Sequence, residues 1–386
     1  MTAPGAGNGS PSSAVTPRAP TVLGALTTQP GRPASPLSLA GRTPFGERTE
    51  HFAALSGMAR RKGAVFCVFA PAEVDWQAGR VRAAVFRNGR WARQVLPLPR
   101  VVYNRLPSRE VEAHPLVRRT KDRLQRAGAS LFNPGFFDKW ANHVILARHA
   151  SMREHLPETE AFRGPGQVER FLRRFGSVYC KPRTGHAGSG IMRLDASSGR
   201  YVLRLLQKGS VRSQAYPRLR SLALAAAQRM SGKPYVVQQT VPVALYRGRA
   251  FDFRLLLHKA PVGTWRITGA GIRVAGRGGI TTHVPNGGSL AQPKEVLREA
   301  FKESLHHPGG VYRRVRNLAA ASARLLDQHF GGRLAEMSMD ITVSPQGHVW
   351  FLEANAKPMR FDEPKIQRRW RIRLLRYALS LAGRRP

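Results

Sequence analysis

Two strand-like runs, 337–343 and 348–355, close on Ser344-Pro345-Gln346-Gly347 and are almost wholly apolar, yet they carry Asp340, Glu353 and Asn355. Glu353 and Asn355 stand two apart, so on a strand both leave from one face. A two-residue turn at Pro345-Gln346 would pair 340 with 351. Asp340, Phe351, Glu353 and Asn355 would then share a face, and Ile341, Val343, Trp350 and Leu352 would pack on the other. A three-residue loop would break that arrangement, because a one-residue slip turns every side chain over. Two carboxylates and an amide carbonyl make a hard oxygen site suited to Mg²⁺ bridging nucleotide phosphates. The plainer reading is an exposed hairpin with ordinary acids. The chain has only 23 Asp and Glu against 63 Lys and Arg, and two acids on so apolar a strand pair favour a site.

The same imbalance gives a net charge of +40, mostly through Arg. Such a charge favours polyanions. It is spread along the chain instead of clustered, so specific nucleic-acid binding is not expected. An Arg-, Ala-, Gly- and Pro-rich composition with solvated charges reads equally well. Cys67 and Cys180 sit in separate apolar runs without metal-type spacing, which predicts two buried thiols in a reducing, cytoplasmic setting. No apolar run approaches the roughly 20 residues of a membrane span. No charged segment precedes an apolar one at the N-terminus, so no secretory signal is expected.

Residues 1–55 are rich in Pro, Gly, Ala, Ser and Thr and read as a disordered leader, with Met58 as an alternative start. Residues 56–130 read as a small α/β lobe: a strand at 64–69, a hairpin at 81–86 and 91–96 around Asn88-Gly89, a strand end at 101–105, and a helix at 110–127 closed by Gly128. Residues 131–362 read as a larger α+β unit. It has a short strand at 130–134 and helices at 136–153, 167–175, 212–230 and 313–330. Its further strands fall at 178–181, 191–194, 235–241, 250–258 and 264–274. Residues 363–386 form a basic amphipathic helix, with Ile366, Trp370, Leu374, Ala378 and Leu381 on one stripe.

Three further motifs carry chemistry. Lys181 ends a strand and leads into a loop containing Gly185, His186, Gly188, Ser189 and Gly190. A lysine there can meet phosphates, and the glycines let backbone N–H groups approach them. The Gly-Lys-Ser/Thr order of a Walker loop is absent, a plain hairpin loop is an even alternative, and His186 reads as a loop residue. The run through Gln238, Gln239 and Val241 can offer its backbone to an adenine edge. Asp252 and Arg254 alternate with Phe251 and Phe253 and carry charge into an interior. Arg273, followed by Asn286-Gly287-Gly288-Ser289, places a guanidinium and an amide where charge could develop, with the Gly-rich 275–279 segment as a cover.

Taken in order, these pieces resemble the ATP-grasp superfamily over roughly residues 130–360. Val102-Tyr103-Asn104-Arg105, Phe132-Asn133 with Phe137-Asp138-Lys139-Trp140, and Glu353-Ala354-Asn355-Ala356-Lys357-Pro358 are similar, more narrowly, to the YheC/YheD family, which is associated with the endospore coat. The resemblance implies an ATP-grasp fold, two α+β lobes enclosing ATP, preceded by a small α/β lobe. It implies that Lys139 and Lys181 contact phosphates and that the Gly loop covers them. Gln238 to Val241 would border the adenine, with Gln239 where relatives often carry an acid. Asp340, Glu353 and Asn355 would hold one or two Mg²⁺, or Mn²⁺. Arg254, Arg273 and Asn286 would lie near the γ-phosphate and an acyl-phosphate.

The expected activity is that of an ATP-dependent carboxylate–amine or carboxylate–thiol ligase. Arg105, Arg109 and Lys357 hint at an anionic carboxylate substrate. The competing reading is a non-catalytic ATP-binding coat or assembly protein that meets polyanionic surfaces.

Overall fold

In the computed structural model, which describes residues 20–29, 31–185, 188–207, 209–304, 306–361 and 363–383, the first strand, β1, is Thr21–Leu26. It lies in the middle of a seven-stranded sheet. On one side it pairs in parallel with β2 (Ala64–Phe69), on the other with β6 (Val101–Asn104). The short strand β3 (Val74–Asp75) and the hairpin of β4 (Arg80–Arg87) and β5 (Arg90–Pro97) extend one edge. β7 (Ser130–Phe132) closes the other. Arg87 pairs with Arg90 across Asn88-Gly89, the two-residue turn that this dipeptide favours.

The expectation of a disordered leader through residue 55 is therefore corrected for 20–55. β1 is buried, and helix α1 (Thr49–Arg61) packs Phe52, Leu55 and Ala59 onto the sheet. Met58 lies within that helix, after a strand the sheet contains. Six apolar-leaning residues in a Pro- and Gly-rich surround bury enough surface once two strands flank them. Residues 1–19 of the expected leader lie outside the described residues.

The expected helix at 110–127 is two helices, α2 (Arg109–Ala113) and α3 (Pro115–Arg126). His114 precedes a proline and takes ψ 133°, outside the helical region, as the ring of Pro115 dictates. Likewise the helix expected from 136 begins as α4 (Lys139–Ala147), capped by Asp138, and breaks before α5 (Ala150–Arg153).

The second sheet runs β12-β11-β10-β9-β13-β8. Its members are β8 (Thr159–Ala161), β9 (Ser177–Pro182), β10 (Met192–Ser197), β11 (Arg200–Gln207), β12 (Ser210–Tyr216) and β13 (Tyr235–Gln239). Helices α6 (Pro165–Phe175) and α7 (Leu219–Met230) cover one face through Phe171, Leu222 and Ala226. Residues 212–216, expected to be helical, belong to β12, because Pro217 excludes the helical region at Tyr216.

The third sheet runs β17-β16-β15-β18-β19, with β14 (Leu245–Tyr246) on β15. β15 is Arg249–Lys259, β16 Trp265–Val274, β17 Ser289–Ala291, β18 Glu336–Val343 and β19 Val349–Asn355. Helices α8 (Pro293–Ala300), unforeseen in the sequence, and α9 (Pro308–His329) bury Val296, Val311, Val315 and Leu326 against it. Helix α10 (Pro364–Leu381) lies against β15 and β16 and reaches α1 and β6 of the first lobe. Ile366, Trp370, Leu374 and Ala378 of its stripe are buried there. Cys67 and Cys180 are free and buried, and burial pushes both thiols up to about 12. Among the described residues no helix is long and apolar enough to cross a membrane.

Candidate functional site

The hairpin of β18 and β19 closes by a three-residue loop. The Ser344 N–H bonds the His348 carbonyl at 2.8 Å, leaving Pro345, Gln346 and Gly347 between them. Such a loop alone would set Asp340 opposite Leu352 and turn Glu353 the other way. A β-bulge compensates: Ile341 pairs with Phe351, but Asp340 pairs with Glu353, so Leu352 is left without a partner. Phe351 consequently joins Ile341 and Val343 in the core instead of sharing the face of Asp340.

Asp340, Glu353 and Asn355 come together on that face, and all three line one cleft. Asn355 Nδ2 donates to Glu353 Oε1 at 3.0 Å, and Lys139 Nζ stands 3.3 Å from Glu353 Oε2. Burial works against the Glu353 charge, but Lys139, the Asn355 amide and further cations outweigh it and hold the carboxyl well below its usual range. Burial raises Asp340, with Arg273 opposing it. No group of three or more His, Cys, Asp or Glu among the described residues is arranged to hold a metal. Two carboxylates and an amide still suit Mg²⁺, which keeps waters and shares phosphate oxygens instead of requiring an all-protein cage.

Arg273 on β16 braces the site. Its Nε and Nη2 bind both oxygens of Asp252, at 2.9 and 2.6 Å, and Nη2 also reaches Asp340 at 2.8 Å. Thr282 Oγ1 donates to Asp252 at 2.6 Å, so this carboxylate is occupied by protein groups. His283 Nδ1 lies 3.3 Å from Arg273 Nη1, and burial together with Arg273 lowers its pKa. Thr282 and His283 were not singled out from the sequence. Arg254 projects from β15 beside Asp340, with its guanidinium 5.0 Å from the Phe361 ring.

A narrow slot between the second and third sheets lies behind Glu353. Lys139, Lys181, Gln238 and Glu353 line it together with apolar Leu156, Val236, Phe351 and Ala354. Asp138 places Lys139: its Oδ1 accepts from the Ala141 N–H at 3.0 Å and caps α4. Lys139 Nζ also donates to the Gly185 carbonyl at 3.0 Å. Lys181 Nζ donates to Gln238 Oε1 at 2.6 Å, and Gln238 Nε2 donates to Thr159 Oγ1 at 2.9 Å. Burial, and next the like charge of Lys139, bring Lys181 down to about 8 against the pull of Glu353. His143 also faces the slot, and burial lowers it to about 4, so it is neutral. Gln239 Oε1 accepts from the Glu158 N–H at 3.2 Å, and Val241 is buried beside it.

The Gly loop folds toward Asn286. Gly188 has φ +76°, and a Cβ there would stand 2.9 Å from Asn286 Nδ2, so this approach requires glycine. Ser189 is exposed, and the Gly190 carbonyl accepts from Tyr235 Oη at 3.1 Å. His186 lies outside the described residues. Tyr179 Oη donates to the Ile280 carbonyl at 2.9 Å, tying the segment after 275–279 to the second sheet.

Of the expected substrate-side cations, Lys357 lines the cleft with its ammonium already engaged. Its Nζ binds Glu112 at 2.8 Å and Asn104 at 3.1 Å, and burial lowers it to about 7. Arg105 and Arg109 line the cleft, which has a volume of about 970 Å³.

The family described as YheC/D like ATP-grasp matches residues 128–381. The endospore coat-associated protein YheD of Bacillus subtilis is 28% identical over 327 residues, covering 84% of this chain and 71% of YheD. The endospore coat-associated protein YheC of the same organism is 22% identical over 319 residues, covering 81% and 85%. Among solved structures, D-alanyl-alanine synthetase A from Vibrio cholerae aligns at 12% identity and a TM-score of 0.49, covering 94% of this chain and 99% of that one.

Proposed function

The chain belongs to the YheC/D-like ATP-grasp family, and on that premise we propose that it is a Mg²⁺-ATP-dependent carboxylate–amine or carboxylate–thiol ligase. The observation that carries this reading is that Glu353 belongs to both the slot and the cleft. The slot is only about 20 Å³ as it stands, so the second and third sheets must part to admit a nucleotide, whose terminal phosphate would then reach the point where the cleft begins.

Lys139 and Lys181 hold phosphate oxygens, and the Gly loop excludes water above them. The Gln238–Val241 segment borders the adenine against the apolar wall. Asp340, Glu353 and Asn355 hold one or two Mg²⁺, which neutralise charge on the phosphates when bound; Mn²⁺ fits the same oxygens. Arg273 keeps Asp340 in place, while Arg254 and Asn286 face the reacting oxygens. In the first step a substrate carboxylate oxygen bonds to the γ-phosphorus. The bond from that phosphorus to the bridging oxygen breaks, and ADP leaves with the electron pair. In the second step an amine or thiol attacks the acyl carbon, phosphate leaves, and the nucleophile's proton passes to solvent. No protein nucleophile is required.

ADP release from Mg²⁺-ATP with a carboxylate library, with and without amines, tests this. Glu353→Gln should lower the rate by roughly 100-fold or more, since several kcal/mol of charge stabilisation go with the metal. ADP release by Glu353→Gln at the parent rate sinks the reading. The names of YheD and YheC support a place for this activity in endospore coat formation. ATP binding without turnover across all acceptors would make the chain an assembly protein that kept the fold.

A further inference from the structure

The cleft that opens at Glu353 does not end at the reacting groups. It continues between the third sheet and the first lobe, and its far wall is built from Arg48, which precedes α1, and Arg105, which follows β6. These two arginines are held side by side. Arg48 Nη1 donates to the Arg105 carbonyl and, at 2.7 Å, to Thr27 Oγ1. Arg105 Nη2 donates to the Pro358 carbonyl at 3.2 Å.

The carboxylates nearby answer this charge only in part. Glu336 lies behind Arg105 at 3.7 Å, fully buried, where it also accepts from Tyr103 Oη and Trp370 Nε1 with His258 at 3.4 Å; its one negative charge offsets one of the two arginines and leaves the other unmatched. On the rim, Glu50 pairs with Arg360 at 3.2 Å. Glu47, next to Arg48 in the chain, draws on its charge from a distance but makes no ion pair with it among the described residues. His51, deep in the same wall, adds nothing: burial and Arg105 bring it down to about 3, so it stays neutral. Burial and the neighbouring Arg105 also push the Arg48 guanidinium down to about 10. Two like charges drawn out of water against each other are costly unless an anion joins them. At the other end Arg254 faces the same space and forms no ion pair among the described residues.

We propose that the substrate carries a second carboxylate, which Arg48 and Arg105 take at the far wall while the reacting carboxylate lies at the Arg254 end. The substrate class is then a di- or oligocarboxylate, either a small diacid or the acidic end of a peptide. This rests on the ligase reading for the role of the first carboxylate. The paired arginines give a planar, forked set of donors that matches a carboxylate better than a point charge does.

The test is calorimetric titration of the full chain without nucleotide, which separates it from turnover. The probes are glutarate, its half-amide glutaramate with one carboxylate, tri-L-glutamate, and inorganic phosphate. Glutarate or triglutamate should bind at least tenfold more tightly than glutaramate. Arg48→Gln and Arg105→Gln should each abolish the preference, leaving diacid and half-amide with equal affinity on the same variant. Triglutamate tighter than glutarate marks a peptide; the reverse order marks a small diacid. Equal binding of glutarate, triglutamate and glutaramate overturns the proposal. So do phosphate binding as tight as all of them, the absence of saturable binding by both acids, and a diacid preference that survives Arg48→Gln. If either variant fails to fold, the comparison of probes on the unaltered chain decides. ADP release that fails with every carboxylate, beside an intact diacid preference, would count against the ligase reading and not against this site.

Discussion

Arg273 Nη2 reaches Asp340 at 2.8 Å while the same guanidinium clasps both oxygens of Asp252. One cation thus serves two buried acids on neighbouring strands. Burial disfavours its charge, but Asp340 and Asp252 outweigh that and raise its pKa above the ordinary value. Removing it strands two carboxylates out of water. Arg273→Met should therefore cost roughly 3–5 kcal/mol, the range for breaking a buried pair by deleting one partner. Arg273→Lys cannot span both acids and should recover only part of this. Urea unfolding of both variants reads the order, and equal stability of Arg273→Met and the parent contradicts it.

The bulge at Leu352 has a sharper consequence. Asp340 already pairs with Glu353, and Leu352 has no partner in the ladder. Deleting Leu352 leaves a regular strand in which Phe351 and Ala354 keep the core face and Glu353 and Asn355 keep the site face. Inserting one alanine after Leu352 instead lets plain alternation resume with Glu353 carried two positions along, opposite Ser338 and away from Asp340. Mg²⁺-dependent nucleotide binding should survive the deletion within about tenfold and be lost in the insertion, where Asp340 and Glu353 no longer stand side by side. Titration with Mg²⁺-ATP distinguishes the two.

How much of this was legible varies by element, and the reasons are physical. The hairpin around Asn88-Gly89 and the two strands flanking 344–347 carry their turn chemistry locally. Gly347, with φ +71°, marks a three-residue loop, but nothing local marks a compensating bulge, which is fixed by the packing of Phe351 and Ala354. β1 escaped because its six residues are averaged with proline and glycine neighbours, and its burial comes from strands 40 and 80 residues onward. Asp340 and Glu353 were readable as acids on apolar strands and Lys181 as a lysine at a strand end before a Gly loop, whereas Lys139, at the start of α4, was placed only by the family resemblance. The clasp of Asp252 by Arg273 was not, since it depends on the register of β15 and β16, which itself shifts between Leu256 and Leu257.

Gly269 in β16 shows what holds the first lobe to the third sheet. A Cβ there would stand 2.6 Å from Ile366, in the first turn of α10. Helix α10 touches β15 and β16 on one side and α1 and β6 on the other. Gly269→Val should force α10 outward and cost about 1–3 kcal/mol, as overpacking does. Trypsin should then cut faster at Arg368 and Arg369, while Gly166→Ala, in open space on α6, should leave both residues as protected as in the parent. Unchanged cleavage in Gly269→Val contradicts the contact.

Lys181 gives nucleotide binding a pH dependence whose sign is fixed. Burial, with Lys139 adding like charge, brings its pKa to about 8 in the free protein. Phosphate oxygens favour the ammonium form, so the bound pKa must be higher. Below about 8 both states carry the proton, and affinity is flat. Between the free and bound values the complex holds a proton that the free protein has released. Binding then takes up protons, and affinity falls by about tenfold per pH unit, since each unit is 1.36 kcal/mol of differential interaction. Above the bound value affinity is flat again. Calorimetry in buffers of different ionisation enthalpy should show net proton uptake rising through pH 8–9. Lys181→Arg keeps its charge throughout and should lose that uptake while retaining binding. Proton release, or uptake that persists in Lys181→Arg, assigns the effect to another group.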